Sequence, residues 1–67
     1  MELSARNQIR GKISSIKHGA VMAEVVIDIE SQEITSTITM GSLERLGLKV
    51  GDRVTAIIKA SDVLIGK

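Results

Sequence analysis

The 67-residue chain reads as all-β, five strands with one short helix between the third and fourth, and three observations carry that reading. Apolar and polar residues alternate with a period of two through most of its length, the pattern of strands with one covered face. β-Branched residues concentrate in those stretches, and Gly, Ser or Asp clusters separate them. One segment past the middle drops the alternation and carries helix start and stop signals instead.

The first strand runs from Asn7 to Ile16, with Ile9, Gly11 and Ile13 on one face. Ile16 breaks that parity, so a bulge or the end of the strand is expected near Ser14-Ser15, followed by a turn at Lys17-His18-Gly19 in which Gly19 takes positive φ. The second, Ala20 to Glu30, sets Val21, Ala23, Val25, Ile27 and Ile29 against Met22, Glu24, Val26, Asp28 and Glu30. A turn at Ser31-Gln32 joins it as a hairpin to a third strand, in which Ile34, Ser36, Ile38 and Met40 alternate with Glu33, Thr35, Thr37 and Thr39. Ser42 is the expected helix N-cap and Gly47 the left-handed stop, with Leu43 and Leu46 covering one end of the sheet. After a turn at Lys49–Asp52, Arg53 to Lys59 forms the fourth strand with Val54, Ala56 and Ile58 inward. Ala60-Ser61-Asp62 interrupts the pattern, and Val63-Leu64-Ile65 is the expected fifth strand. Five strands with a helix in that position match the layout of an OB-like barrel, and without repeats or linkers residues 1–67 are expected to form a single domain.

So short a chain buries little apolar area and needs reinforcement. It has no Cys for a disulfide, no Cys/His set for structural zinc, and no Phe, Tyr or Trp. Association of identical chains is the remaining means, and a hydrophobic content of 43% fits a surface shared with a neighbouring copy. Nine basic residues against eight acidic ones give a formal charge of +1, so general attraction to polyanions is not the theme. The missing aromatic rings also count against a nucleic-acid-binding OB module, which stacks bases on them. No apolar run approaches a membrane span, and Met1-Glu2-Leu3-Ser4 does not open a secretory leader, so the chain reads as cytoplasmic. His18 has no second ligand for a metal and no acid and nucleophile in triad order, so catalysis is not expected.

Two polar clusters remain. Ser4-Ala5-Arg6-Asn7 precedes the first strand, and Lys59-Ala60-Ser61 ends the fourth. Alone, the first reads as an entry turn organised by Ser4 and Asn7 with Arg6 a solvated charge. Brought together in a small barrel, or across a contact between copies, they supply two cations, hydroxyls, and small Ala residues that let main-chain N–H groups approach a ligand, as a tetrahedral dianion requires.

Ser4-Ala5-Arg6-Asn7-Gln8, then Gly11-Lys12, Leu46-Gly47-Leu48-Lys49-Val50-Gly51-Asp52 and Ile58-Lys59-Ala60-Ser61-Asp62-Val63 resemble the molbindins over essentially the whole chain. These are small cytoplasmic molybdate-binding proteins built from a single Mop domain, also called a TOBE domain. The resemblance implies molybdate or tungstate as ligand and no covalent cofactor. With no regulator or transporter segment attached, it points to the free-standing member that serves storage or homeostasis. It places Ser4, Ala5 and Arg6 around the oxyanion, with Lys59, Ala60 and Ser61 completing the shell and Thr39 reaching in from a neighbouring subunit. It further implies a homohexamer, a trimer of dimers, with sites between subunits. A second class of site near the threefold axis is assigned to His18, Gly19, Ala20 and Val21, a stretch that otherwise reads as a plain hairpin turn. A ligand-free assembly module is the other alternative to the oxyanion reading.

Overall fold

The computed structural model describes residues 4–67, so the expectation drawn from Met1-Glu2-Leu3 lies outside the described residues. Along the chain come β1 (Asn7–His18), β2 (Met22–Ile29), β3 (Gln32–Thr39), α1 (Met40–Leu46), β4 (Arg53–Ile58) and a 3-10 turn at Ala60–Asp62. The strands form one antiparallel sheet in the order β3-β2-β1-β4.

β1 is the spine of the sheet because it pairs on both sides. Asn7 to Lys12 lie against Ile58 to Arg53, and Lys12 to His18 against Asp28 to Ala23. The register with β2 slips between Ile13 and Ser15, at the bulge the parity of Ile16 predicts. The Ser14 hydroxyl donates to the Val26 carbonyl there (3.3 Å), and Ile13 exchanges main-chain bonds with Gly51 and Asp52 ahead of β4. With its parity reset, β1 continues through Lys17 and His18, and the turn falls at residues 19–21, later than the sequence suggests. Gly19 is not at positive φ. It is needed for room, since a Cβ there would stand 2.5 Å from the Met22 carbonyl oxygen.

Ile13, Ala23, Val25, Ile27, Leu43 and Ala56 form the buried core, with Ile16, Ile29, Ile34, Ile38, Met40, Leu48 and Val54 packed around it. Each fully buried aliphatic side chain contributes about 1.5–3 kcal/mol. Val21 was expected inward but is 70% exposed, because it precedes β2. Its carbonyl instead accepts from the Met40 amide (2.8 Å), tying the turn to the start of α1. The β2–β3 turn is Glu30-Ser31, one residue earlier than expected, and Glu30 sits at φ 53°.

The helix N-cap falls three residues before the expected one. The Ser42 amide donates to Thr39 Oγ1 (3.0 Å) and the Thr39 hydroxyl donates to Ser42 Oγ (2.9 Å), so Thr39 is the N-cap. Both residues are good caps; the earlier start lets Met40 pack on the core. Gly47 ends the helix at φ 63°, as expected. Leu43 is buried, whereas Leu46 is exposed and lines a mostly apolar hollow of about 370 Å³ with Ile13, Val25, Ile27, Ile38, Leu48 and Val54, and with Arg53 and Thr55.

The largest correction concerns closure. The described residues form four strands in an open sheet, not a five-stranded closed barrel. Val63-Leu64-Ile65 has the composition of a strand but no ladder partner, and Leu64 and Ile65 are 92% and 91% exposed. A strand exists only through its pairing, and nothing among the described residues supplies it.

Candidate anion site

The β1–β4 ladder ends at Asn7 opposite Ile58, so the residues just before Asn7 and just after Ile58 leave the sheet side by side. This register places the two polar clusters together: Ser4, Ala5, Arg6, Lys59, Ala60 and Ser61 line one depression of about 390 Å³. These are the six residues that the sequence assigns to the main site from the two chain ends. Ala5 is half-buried and the other five are exposed, so the depression opens to solvent.

Local bonding shapes both walls. Gln8 Nε2 donates to the Ala5 carbonyl (3.1 Å), which holds the entry segment against the start of β1. On the other wall, the Asp62 amide donates to the Lys59 carbonyl (2.9 Å) and the Val63 amide to the Ala60 carbonyl (3.3 Å), folding residues 59–63 into a tight turn. The result is one guanidinium, one ammonium and two hydroxyls around a shared space. Such a set can offset two negative charges and donate to several oxygens at once.

Thr39 does not join this group within one chain. It pairs with Met22, beside the His18–Ala23 end of β1, whereas the depression lies at the Asn7 end. Its hydroxyl is also engaged in the helix cap. The second stretch is divided as well: His18 and Gly19 line a depression of about 200 Å³ with Lys17, Met22, Ala23, Glu24 and Thr37, but Ala20 and Val21 do not. The carboxylate of Glu24 there opposes an anion.

A further cluster escaped the sequence reading. Arg10, Gly11, Lys12, Arg53, Val54 and Thr55 surround a separate depression of about 380 Å³. The signal was present in the alternation Arg10-Gly11-Lys12, which puts two cations on one strand face, but Arg53 joins them only through the ladder. Among the described residues no group of three or more His, Cys, Asp or Glu could hold a metal ion, and no helix is long and apolar enough to cross a membrane.

Comparison with known proteins agrees with this architecture. A TOBE-domain profile matches residues 3–65. Molybdenum-pterin-binding protein 3 of Clostridium pasteurianum is 48% identical over 66 residues, covering 97% of this chain and 97% of the relative. Among solved structures, a molybdate-binding protein from Sporomusa ovata superimposes with a TM-score of 0.96 at 37% identity, covering both chains fully. ModG, described as a cytoplasmic molybdate-binding protein and solved with molybdate bound, gives a TM-score of 0.90 at 45% identity; the match takes in 96% of this chain and 46% of ModG. The chain belongs to the TOBE-domain family, in its small Mop or molbindin form.

Proposed function

We propose that this protein binds molybdate, and tungstate equally, at the depression between Ser4–Arg6 and Lys59–Ser61, and that it serves oxyanion storage or homeostasis in the cytoplasm rather than catalysis. The observation that carries the reading is the convergence of Arg6 and Lys59, from opposite ends of the sequence, on one space. Full-length relatives named for molybdenum and a close structural neighbour named for molybdate support the choice of anion.

The physics selects a site completed by a second copy of the chain. A dianion withdrawn from water is tolerated only when its charge is offset and its oxygens are bonded. Arg6 and Lys59 supply the charge, Ser4, Ser61 and the main chain of Ala5 and Ala60 the donors. In one chain the depression is too open to exclude water, so a neighbouring subunit closes it and brings Thr39 to the far side. The exposed apolar residues Val63, Leu64, Ile65 and Leu46, together with the apolar hollow that Leu46 lines, supply surface for that association. A hexamer built as a trimer of dimers is the assembly this reading adopts, with residues 1–67 acting as one Mop domain. The second class of site, at His18, Gly19, Ala20 and Val21, belongs to the same assembly and draws donors from several copies, because Lys17 and Glu24, paired across the ladder, leave the single-chain depression without net positive charge.

Competitive calorimetry tests the proposal. Molybdate and tungstate, nearly alike in size and charge, should displace one another at comparable concentrations, while the smaller sulfate leaves donors over-stretched and competes poorly. Sulfate binding as well as molybdate would reduce the site to a generic anion trap, and no heat from any of the three would remove it.

A further inference from the structure

A separate basic depression lies on the β1–β4 surface, away from the clusters at the chain ends. Arg10 pairs with Thr55 and Lys12 with Arg53, so the four side chains occupy adjacent positions on one face of two neighbouring strands. The face is the one opposite the core, since the intervening Gly11, Val54 and Ala56 turn inward with Ile13. Arg10, Lys12 and Arg53 are exposed and Thr55 is half-buried.

We propose that Arg10, Lys12, Arg53 and Thr55 form a further anion-binding site, distinct from both oxyanion sites, that takes a short polyphosphate chain. Three arguments fix the ligand class. First, the charge: three of the chain's nine basic residues crowd around one depression in a protein of formal charge +1, and three cations exceed what a single tetrahedral dianion offsets. Second, the spacing: residues two apart on a strand are about 7 Å apart and neighbouring strands about 5 Å, so the cations frame an elongated patch fitting linked phosphates better than one. Two guanidiniums give the paired N–H geometry that phosphate oxygens accept. Third, the boundary: on the next strand Asp28 stands opposite Lys12, and Glu33 opposite Asp28, so the row Arg53, Lys12, Asp28, Glu33 turns from basic to acidic. That acidic half stops a long nucleic-acid backbone from crossing the sheet. With no aromatic residue in the chain, nothing stacks on a base, so recognition stops at the phosphates.

The arrangement also couples binding to the fold. Lys12 and Arg53 face each other directly across the ladder, and like charges so placed weaken it. An anion between them relieves the repulsion.

Calorimetric titration of the intact protein with tripolyphosphate, ATP and orthophosphate, at low and at moderate salt, tests the site. Tripolyphosphate and ATP should bind with equal affinity and orthophosphate at least about tenfold more weakly, all three falling with salt. Arg10→Gln and Arg53→Gln should each weaken tripolyphosphate about tenfold or more and leave molybdate affinity unchanged, while Arg6→Ala should do the reverse. Circular dichroism of the exposed-surface variants checks that they fold. No binding of tripolyphosphate at millimolar concentration, binding untouched by both Gln variants, or loss caused by Arg6→Ala overturns the proposal. ATP binding far more tightly than tripolyphosphate overturns the phosphate-only recognition. A change in oligomer size in Arg53→Gln without an effect on anion binding assigns the patch instead to a contact between copies, its basic half against another chain's Asp28 and Glu33. The molybdate reading stands or falls separately, because none of these residues lines its depression.

Discussion

Arg6 and Lys59 are the two cations that line the depression beside Ala5 and Ala60, and their positions follow from one pairing, Asn7 with Ile58, that neither residue takes part in. Within the Ser-Ala-Arg-Asn cluster the roles differ. Arg6 lines the depression, whereas Asn7 is the first residue of β1 and does not line it. Under the proposed function, truncating Arg6 leaves the dianion half-compensated. Arg6→Ala should therefore weaken molybdate binding by roughly tenfold to a hundredfold, as expected for a lost charge-assisted bond, and Asn7→Ala by much less. Titration calorimetry on the two variants decides it; equal and negligible losses would return both residues to a structural role.

Thr39 joins two elements and has two readings that one experiment separates. It ends β3 and caps α1, so Thr39→Ala should lower the stability of the ligand-free protein by about 1 kcal/mol. Under the proposed function it also donates to the oxyanion of a neighbouring subunit, and the same change should weaken molybdate binding. Chemical denaturation without ligand and calorimetry with it measure the two effects independently. Loss of stability alone would confine Thr39 to the cap.

The elements themselves differed in how openly the sequence declared them. Alternation located β1 to β4, because each has one face against the core, and the misplaced parity of Ile16 betrayed the bulge. Gly47 marked the helix end, since few residues accept its left-handed backbone. The helix start was less legible because Thr39 and Ser42 are both competent caps, and the choice between them lay in the packing of Met40. Val63-Leu64-Ile65 misled for a related reason: composition reports a willingness to pair, while pairing depends on a partner strand that sequence periodicity does not reveal. At the site, two separated motifs pointed to six residues that the ladder places together, yet the basic group of Arg10, Lys12 and Arg53 went unread because its third member arrives through register.

As a whole molecule this chain is a thin-cored sheet with apolar surface left over. Among the described residues only Ile13, Ala23, Val25, Ile27, Leu43 and Ala56 are buried, while Leu64, Ile65, Val21 and Leu46 stand largely exposed. Such a chain gains more from ligand and from neighbours than a large domain does. A ligand held at 100 times its dissociation constant adds about 2.7 kcal/mol for each independent site, a sizeable part of the roughly 5–15 kcal/mol of a typical domain. The melting temperature should rise steadily with molybdate, and rise again with protein concentration as the sites between subunits form. A melting curve indifferent to saturating molybdate would count heavily against the assignment.

The central claim is that one tetrahedral dianion is gripped by both ends of the sequence at once. Molybdenum can be located directly by its anomalous scattering in crystals of the molybdate-loaded protein. The account predicts a peak within hydrogen-bond reach, about 3 Å from anion oxygen to donor nitrogen, of both the Arg6 guanidinium and the Lys59 ammonium, with Ser4 and Ser61 in the same shell. A peak elsewhere, with Arg6 and Lys59 turned to separate regions of solvent in every copy, would contradict it.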